Sequence, residues 1–167
     1  MTAVKLSFSI SGDLIKGCVG NSQYPFGLDR PNYRTDDSIK TGRCPKILEE
    51  YFADVVEEQF GIARDRLAPL GSSSPFLLAR FGCVGLHTDE SFPRYCIVLP
   101  LIGSGTLRLA PGAKRVDSYL INKNMGVLFD NHIPHDFILS SRSFVVAALI
   151  SVQDPTKREW ERLRRGK

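Results

Sequence analysis

The feature that most limits the folds open to this chain lies after Pro75. Eight short segments rich in apolar residues follow one another there, at 76–81, 86–89, 95–101, 106–110, 116–121, 126–129, 135–139 and 142–152. Gly, Pro, Asn and Ser separate them at short intervals, the pattern of an antiparallel sandwich or barrel. The run SFVVAALISV, residues 143–152, is apolar at odd and even positions alike and is expected inside a sheet covered on both faces. Gly103–Thr106 (GSGT) and Ser140-Ser141 read as hairpin turns.

The flanking sequence is of a different kind. Residues 4–10 (VKLSFSI) alternate as a first strand does. Residues 17–45 are rich in turn formers, carry Tyr24, Phe26, Arg30, Tyr33 and Arg34, and are expected to form a loop, either covering a substrate or lying plainly on the surface. Pro45 suits the first turn of a helix in which Leu48, Tyr51, Phe52, Val55, Val56 and Phe60 recur at helical spacing, and Gly61 is a natural stop. A short helix is expected after Pro155. The whole, 1–167, reads as a single domain, with the β core over about 76–152, a strand, loop and helix in 1–75, and a helix over 155–165.

A hydrophobic fraction of 43% and a charged fraction of 24% are those of a globular protein in water. No apolar run approaches the roughly 20 residues that cross a bilayer. The first residues lack a basic stretch followed by an apolar one, so no signal peptide is expected and the default compartment is the cytoplasm. Cys18, Cys44, Cys83 and Cys96 form no CxxC pair and are expected to be reduced and structural, with Cys83 and Cys96 inside apolar segments.

His87-Thr88-Asp89 carries the chemistry. On an extended strand, side chains one residue apart share a face, so an imidazole and a carboxylate would enter one space while Thr88 turns away. A histidine from a later strand would complete the 2-His-1-carboxylate face that leaves positions open on non-heme Fe(II). If Ser140-Ser141 is a hairpin turn, Leu139 lies opposite Arg142. His135 then shares that face, about 13 Å along the ladder from Arg142, and His132 falls on the other. His135 is thus the expected ligand, with His132 as the alternative, and Arg142 supplies a fixed cation able to hold a carboxylate in two hydrogen bonds.

The stretches LARFGCVGLHTDE, RYCIVLPLIGSGTLRLAPG, GVLFDNHIPHDF and SSRSFVVAALI resemble the catalytic core of the Fe(II)/2-oxoglutarate-dependent oxygenases, and GVLFD…PHDF is most similar to the prolyl-hydroxylase-like branch. The resemblance implies a mainly β fold with flanking helices around a double-stranded β-helix (jelly-roll or cupin-like) core. It implies iron on His87, Asp89 and His135, Arg142 on the distal carboxylate of 2-oxoglutarate, and hydroxylation of a C–H with release of succinate and CO2. Arg142 follows His135 more closely than is usual in that family. No tyrosine is found for the co-substrate carboxylate, since Leu99 and Leu101 occupy the strand where one is expected; Tyr95 would serve only in another register.

A GxSxG elbow, a GxxxxGK[ST] phosphate loop and an HExxH helix are all missing. The competing reading is a non-catalytic cupin-like module that binds a metal or ligand. The net charge of +4 and the Tyr/Arg-rich loop favour an anionic partner such as nucleic acid over a peptide or a small metabolite. The Lys157–Lys167 tail contributes to that charge, and its plain reading is a solvated helix face.

Overall fold

A computed structural model describes residues 2–13, 15, 39–69 and 74–165, with the side chains of Lys40 and of residues 141–143 excepted. Among the described residues the strands are β1 (Ala3–Ser7), β2 (Ile39–Arg43), β3 (Phe76–Phe81), β4 (Val84–His87), β5 (Tyr95–Gly112), β6 (Arg115–Ile121), β7 (Met125–Asp130) and β8 (His135–Val152). The helices are α1 (Lys46–Asp54), continued by a π-helical turn over Val55–Gln59, and α2 (Lys157–Arg165).

Every strand pairing is antiparallel. One sheet runs β1-β7-β5-β8-β3-β2, while β6 joins β5 and β4 joins β8 on a second layer. Both layers share β5 and β8, each 18 residues long. Near its start β5 pairs with β7 and with the end of β8, Tyr95 opposite Val152; near its end it pairs with β6 and with the start of β8, Leu109 opposite His135. The mainly β, jelly-roll-like fold expected from the sequence is the one observed.

Two expected hairpins are corners instead. Residues 95–101 and 106–110 belong to one strand, as do residues 135–139 and 142–152. Where GSGT and Ser140-Ser141 were expected to reverse the chain, β5 and β8 bend together and pass from one layer to the other. The register between them slips at three successive steps there, from Pro100 to Gly105. Glycine and serine mark a bulge or bend in a long strand as readily as a tight turn. Gly103 sits at this corner with φ +82°, and a Cβ built there would meet the Phe144 carbonyl oxygen at 2.7 Å.

The layers divide the core in two. Along β5, Cys96 and Val98 face the interior between the layers, whereas Ile97 and Leu99 face the helices. Leu48, Phe52, Val55, Val56 and Phe60 of the α1 segment pack on that outer face, as the helical stripe requires. Gly61 ends the segment at φ +63°. Trp160 and Leu163 of α2 join the same cluster, with Trp160 edge-on to Tyr95 at 5.5 Å. Thr156 and Glu159 form a capping box: the Glu159 amide donates to Thr156 Oγ1 at 3.3 Å and the Thr156 amide to Glu159 Oε2 at 2.6 Å.

The expected loop over 17–45 needs correction at its end, where β2 pairs with β3 as an edge strand. Its five residues lie among turn formers and gave no periodic signal of their own. Residues 17–38 of that loop, Cys18 among them, lie outside the described residues. Cys83 is also not as expected: it is exposed in the bend between β3 and β4, whereas Cys44 and Cys96 are buried. Among the described residues no helix is long and apolar enough to cross a membrane.

Two measurements check this packing. Gly103→Ala forces a side chain into a left-handed backbone and against a carbonyl, so urea unfolding is expected to show a loss of about 1–3 kcal/mol; an unchanged midpoint would refute the corner geometry. Burial pushes the Cys96 thiol up to about 12, so it stays protonated at pH 8. Iodoacetamide at that pH should label Cys83 in the folded protein and reach Cys44 and Cys96 only after unfolding, as read by peptide mass spectrometry.

Candidate metal centre

β4 ends on His87 and β8 begins on His135, and the two residues are direct register partners. Opposed residues of an antiparallel pair project from the same face. Their rings accordingly meet edge to face, with centroids 4.2 Å apart. The sequence placed Asp89 on the same strand as His87, but the strand stops at His87 and Asp89 lies in the turn beyond it. Its direction therefore comes from a tether rather than from strand alternation: the Asp89 amide donates to the Asn131 carbonyl at 3.0 Å, and the Asp89 carbonyl accepts from the Phe92 amide at 2.9 Å.

The result is convergence. Asp89 Oδ2 lies 3.5 Å from His135 Nε2 and 3.8 Å from His87 Nε2. One ligand atom from each of the three residues fits within a span of 4.8 Å. The other ring nitrogens face backbone carbonyls, His87 Nδ1 2.5 Å from the Gly85 oxygen and His135 Nδ1 2.8 Å from the Ile133 oxygen. A carbonyl can only accept, so each ring carries a proton on Nδ1, and Nε2 is the nitrogen turned toward the carboxylate. That is the outer-shell arrangement which orients metal-ligating histidines. Two imidazole nitrogens and a carboxylate suit a divalent first-row cation, so the residues present fit a metal.

The other sequence candidates fall as follows. His132 does not join the group: its Nε2 is 3.1 Å from the Phe92 carbonyl and its amide donates to Asp130 Oδ1 at 3.1 Å. Arg142 belongs to β8, but its side chain lies outside the described residues. The hairpin that was to place it opposite Leu139 is not formed; Leu139 pairs with Gly105 and Ser141 with Ser104. Between the Ser104–Ser141 and Ile102–Val146 pairs, β8 spends more residues than β5, so strand parity from His135 does not carry through to position 142. Tyr95 packs with Trp160 on the helix side, away from the interior.

Sequence reading missed the support beneath the site. Asp130, at the end of β7, is buried and accepts from Arg94 Nε and Nη2 at 3.0 and 2.9 Å. The Asn131 amide donates to the Arg94 carbonyl at 2.6 Å. These bonds pin the turn that delivers both Asn131 and His135. The Asp-Asn pair before Ile133-Pro134 is a turn signal that could have drawn attention to it; nothing local marks Arg94. Asp136 alternates away from His135 and pairs with Arg108 on the outer face of the second layer.

Behind the three residues a cavity of about 120 Å³ opens between the layers. Phe81, Val98, Leu107, Ile121, Phe137 and Leu149 contribute its wall, while His87, Asp89, Asn131 and His135 gather at its polar end. His135 is 5% exposed and packs edge-on to Phe129 at 5.1 Å, so the centre combines a dry side with an open one.

No protein-family model and no curated protein matches the chain. Solved structures do. OsALKBH1 is similar at 13% identity and a TM-score of 0.60, with 92% of this chain and 97% of that one covered. A 2OG-Fe(II) oxygenase family oxidoreductase from Burkholderia pseudomallei gives 11% identity, 89% and 82% coverage and a TM-score of 0.55. A Pseudomonas putida prolyl-4-hydroxylase gives 12% identity, 92% and 94% coverage and a TM-score of 0.54. Such identities speak for the fold, and the jelly-roll of this chain is the fold of the 2OG-Fe(II) oxygenases.

Proposed function

We propose that this protein is an Fe(II)- and 2-oxoglutarate-dependent oxygenase, a hydroxylase of a C–H bond, with His87, Asp89 and His135 as the iron ligands. The observation that carries the reading is the meeting of two Nε2 atoms and one carboxylate at the mouth of an apolar cavity. Iron held there supplies the coupling of O2 to the co-substrate: 2-oxoglutarate, O2 and a C–H compound give succinate, CO2 and the alcohol.

The chain's own residues do the rest. The Gly85 and Ile133 carbonyls hold the two rings in the ligating tautomer. Asp89 brings a negative charge that favours a dication, and the Asn131 carbonyl ties its turn to the connection between β7 and β8. Phe129 and Phe137 keep water from the buried side of His135, where charge interactions gain strength. Arg142 is the proposed partner of the co-substrate's distal carboxylate, a role its planar fork of donors suits.

For the substrate, the positive balance favours an anionic partner such as nucleic acid. The basic residues of α2 do not serve the cavity directly, because α2 packs on the opposite face of the sheet. Failure to bind DNA or RNA even at low salt would exclude this class.

Anaerobic addition of Fe(II) and then 2-oxoglutarate should produce the weak visible charge-transfer band of the chelate, and admitting air should yield succinate slowly without added substrate. Asp89→Ala is expected to weaken iron binding, and Arg142→Ala to weaken 2-oxoglutarate binding about tenfold or more while sparing iron, as loss of a hydrogen bond to a charged group implies. A protein that holds metal yet never consumes 2-oxoglutarate would instead be the cupin-like binding module.

A further inference from the structure

Asn131 is 6% exposed and lines the cavity beside Asp89 and His135. Its backbone is fully engaged, the amide donating to the Arg94 carbonyl and the carbonyl accepting from the Asp89 amide. Its carboxamide makes no hydrogen bond to any described residue. Neither polar atom of the carboxamide is sealed away from the cavity, and the residue lines the same space as the three metal-ligating groups.

The surroundings say what it would meet. Apart from Thr41 and Cys96, the lining beyond the polar end is apolar. At that end the Nδ1–H of each histidine is already given to a carbonyl, and the Nε2 and carboxylate atoms are the ones that would hold the metal. Among the described residues, the carboxamide of Asn131 is the N–H donor remaining there. A 2-oxo acid binds a metal through its keto oxygen and one carboxylate oxygen. The second carboxylate oxygen stays charged, and against an apolar wall it needs a donor.

We propose that Asn131 receives the metal-chelating carboxylate of the 2-oxo acid by donating an amide N–H to its outer oxygen, with the methylene carbons running along the apolar wall. The assignment rests on the oxygenase reading above. It gives Asn131 two roles: its backbone aims Asp89, and its side chain orients the co-substrate.

The test uses the full chain with Fe(II) under anaerobic conditions. The readouts are iron affinity, 2-oxoglutarate affinity and the position of the charge-transfer band, which responds to bonding at the chelating end. In Asn131→Ala, 2-oxoglutarate affinity is expected to fall about tenfold and the band to shift, with iron affinity and melting temperature retained. Asn131→Asp, equal in size and able to keep both backbone bonds, should lose at least as much because it sets a carboxylate against a carboxylate. Arg142→Ala should leave the band where it is. Unchanged affinity in both Asn131 variants overturns the assignment, as does lost affinity with an unmoved band, which would put Asn131 at the distal end. A wild-type protein that binds iron and shows no band at any 2-oxoglutarate concentration defeats the oxygenase reading itself.

Discussion

The pairing of β5 with β8 is the constraint on which the remaining structure depends. Two strands of 18 residues run antiparallel along their length and turn the same corner together. A flat ribbon of that length would leave half its apolar surface in water. By bending, the pair lends one half to each layer, and the residues facing inward from both halves close on a common interior. Gly103 permits the bend through its positive φ and through the absence of a side chain where the Phe144 carbonyl passes.

The same pairing locates the chemistry. β8 enters the second layer at His135, and β4 can join only along that part of its edge, which brings His87 opposite. The histidines thus stand where the interior ends and the turns begin. On one side His135 meets Phe129 and the cavity wall that includes Phe137, and on the other a network of Arg94, Asp130 and Asn131 fixes the turn before β8. Burial supplies a low dielectric and the turn supplies polar atoms; a site that binds a cation and a small acid needs both.

Much of this was readable beforehand because it follows from local periodicity. The strand at 76–81 was expected at the limits where it occurs, and the α1 stripe packs as its spacing implies. His87, Asp89 and His135 were named from residue type and order, and they do converge. The reasons were only partly right. Asp89 is not on the strand, and His135 was chosen over His132 by way of a hairpin at Ser140-Ser141 that does not form. Asn131 passed unnoticed because an asparagine in a turn usually serves the turn alone.

The amino-acid sequence by itself determined which segments extend, which faces are apolar and which side chains can ligate, since these depend on neighbours two to four residues away. Tertiary structure decided whether a run of small residues reverses a strand or bends it, because glycine and serine relieve the same steric limits in either case. Only the competition for partners along β5 and β8 settles that choice. It likewise decided that an aspartate beyond a strand end faces two imidazoles, through one backbone hydrogen bond to a residue distant in sequence.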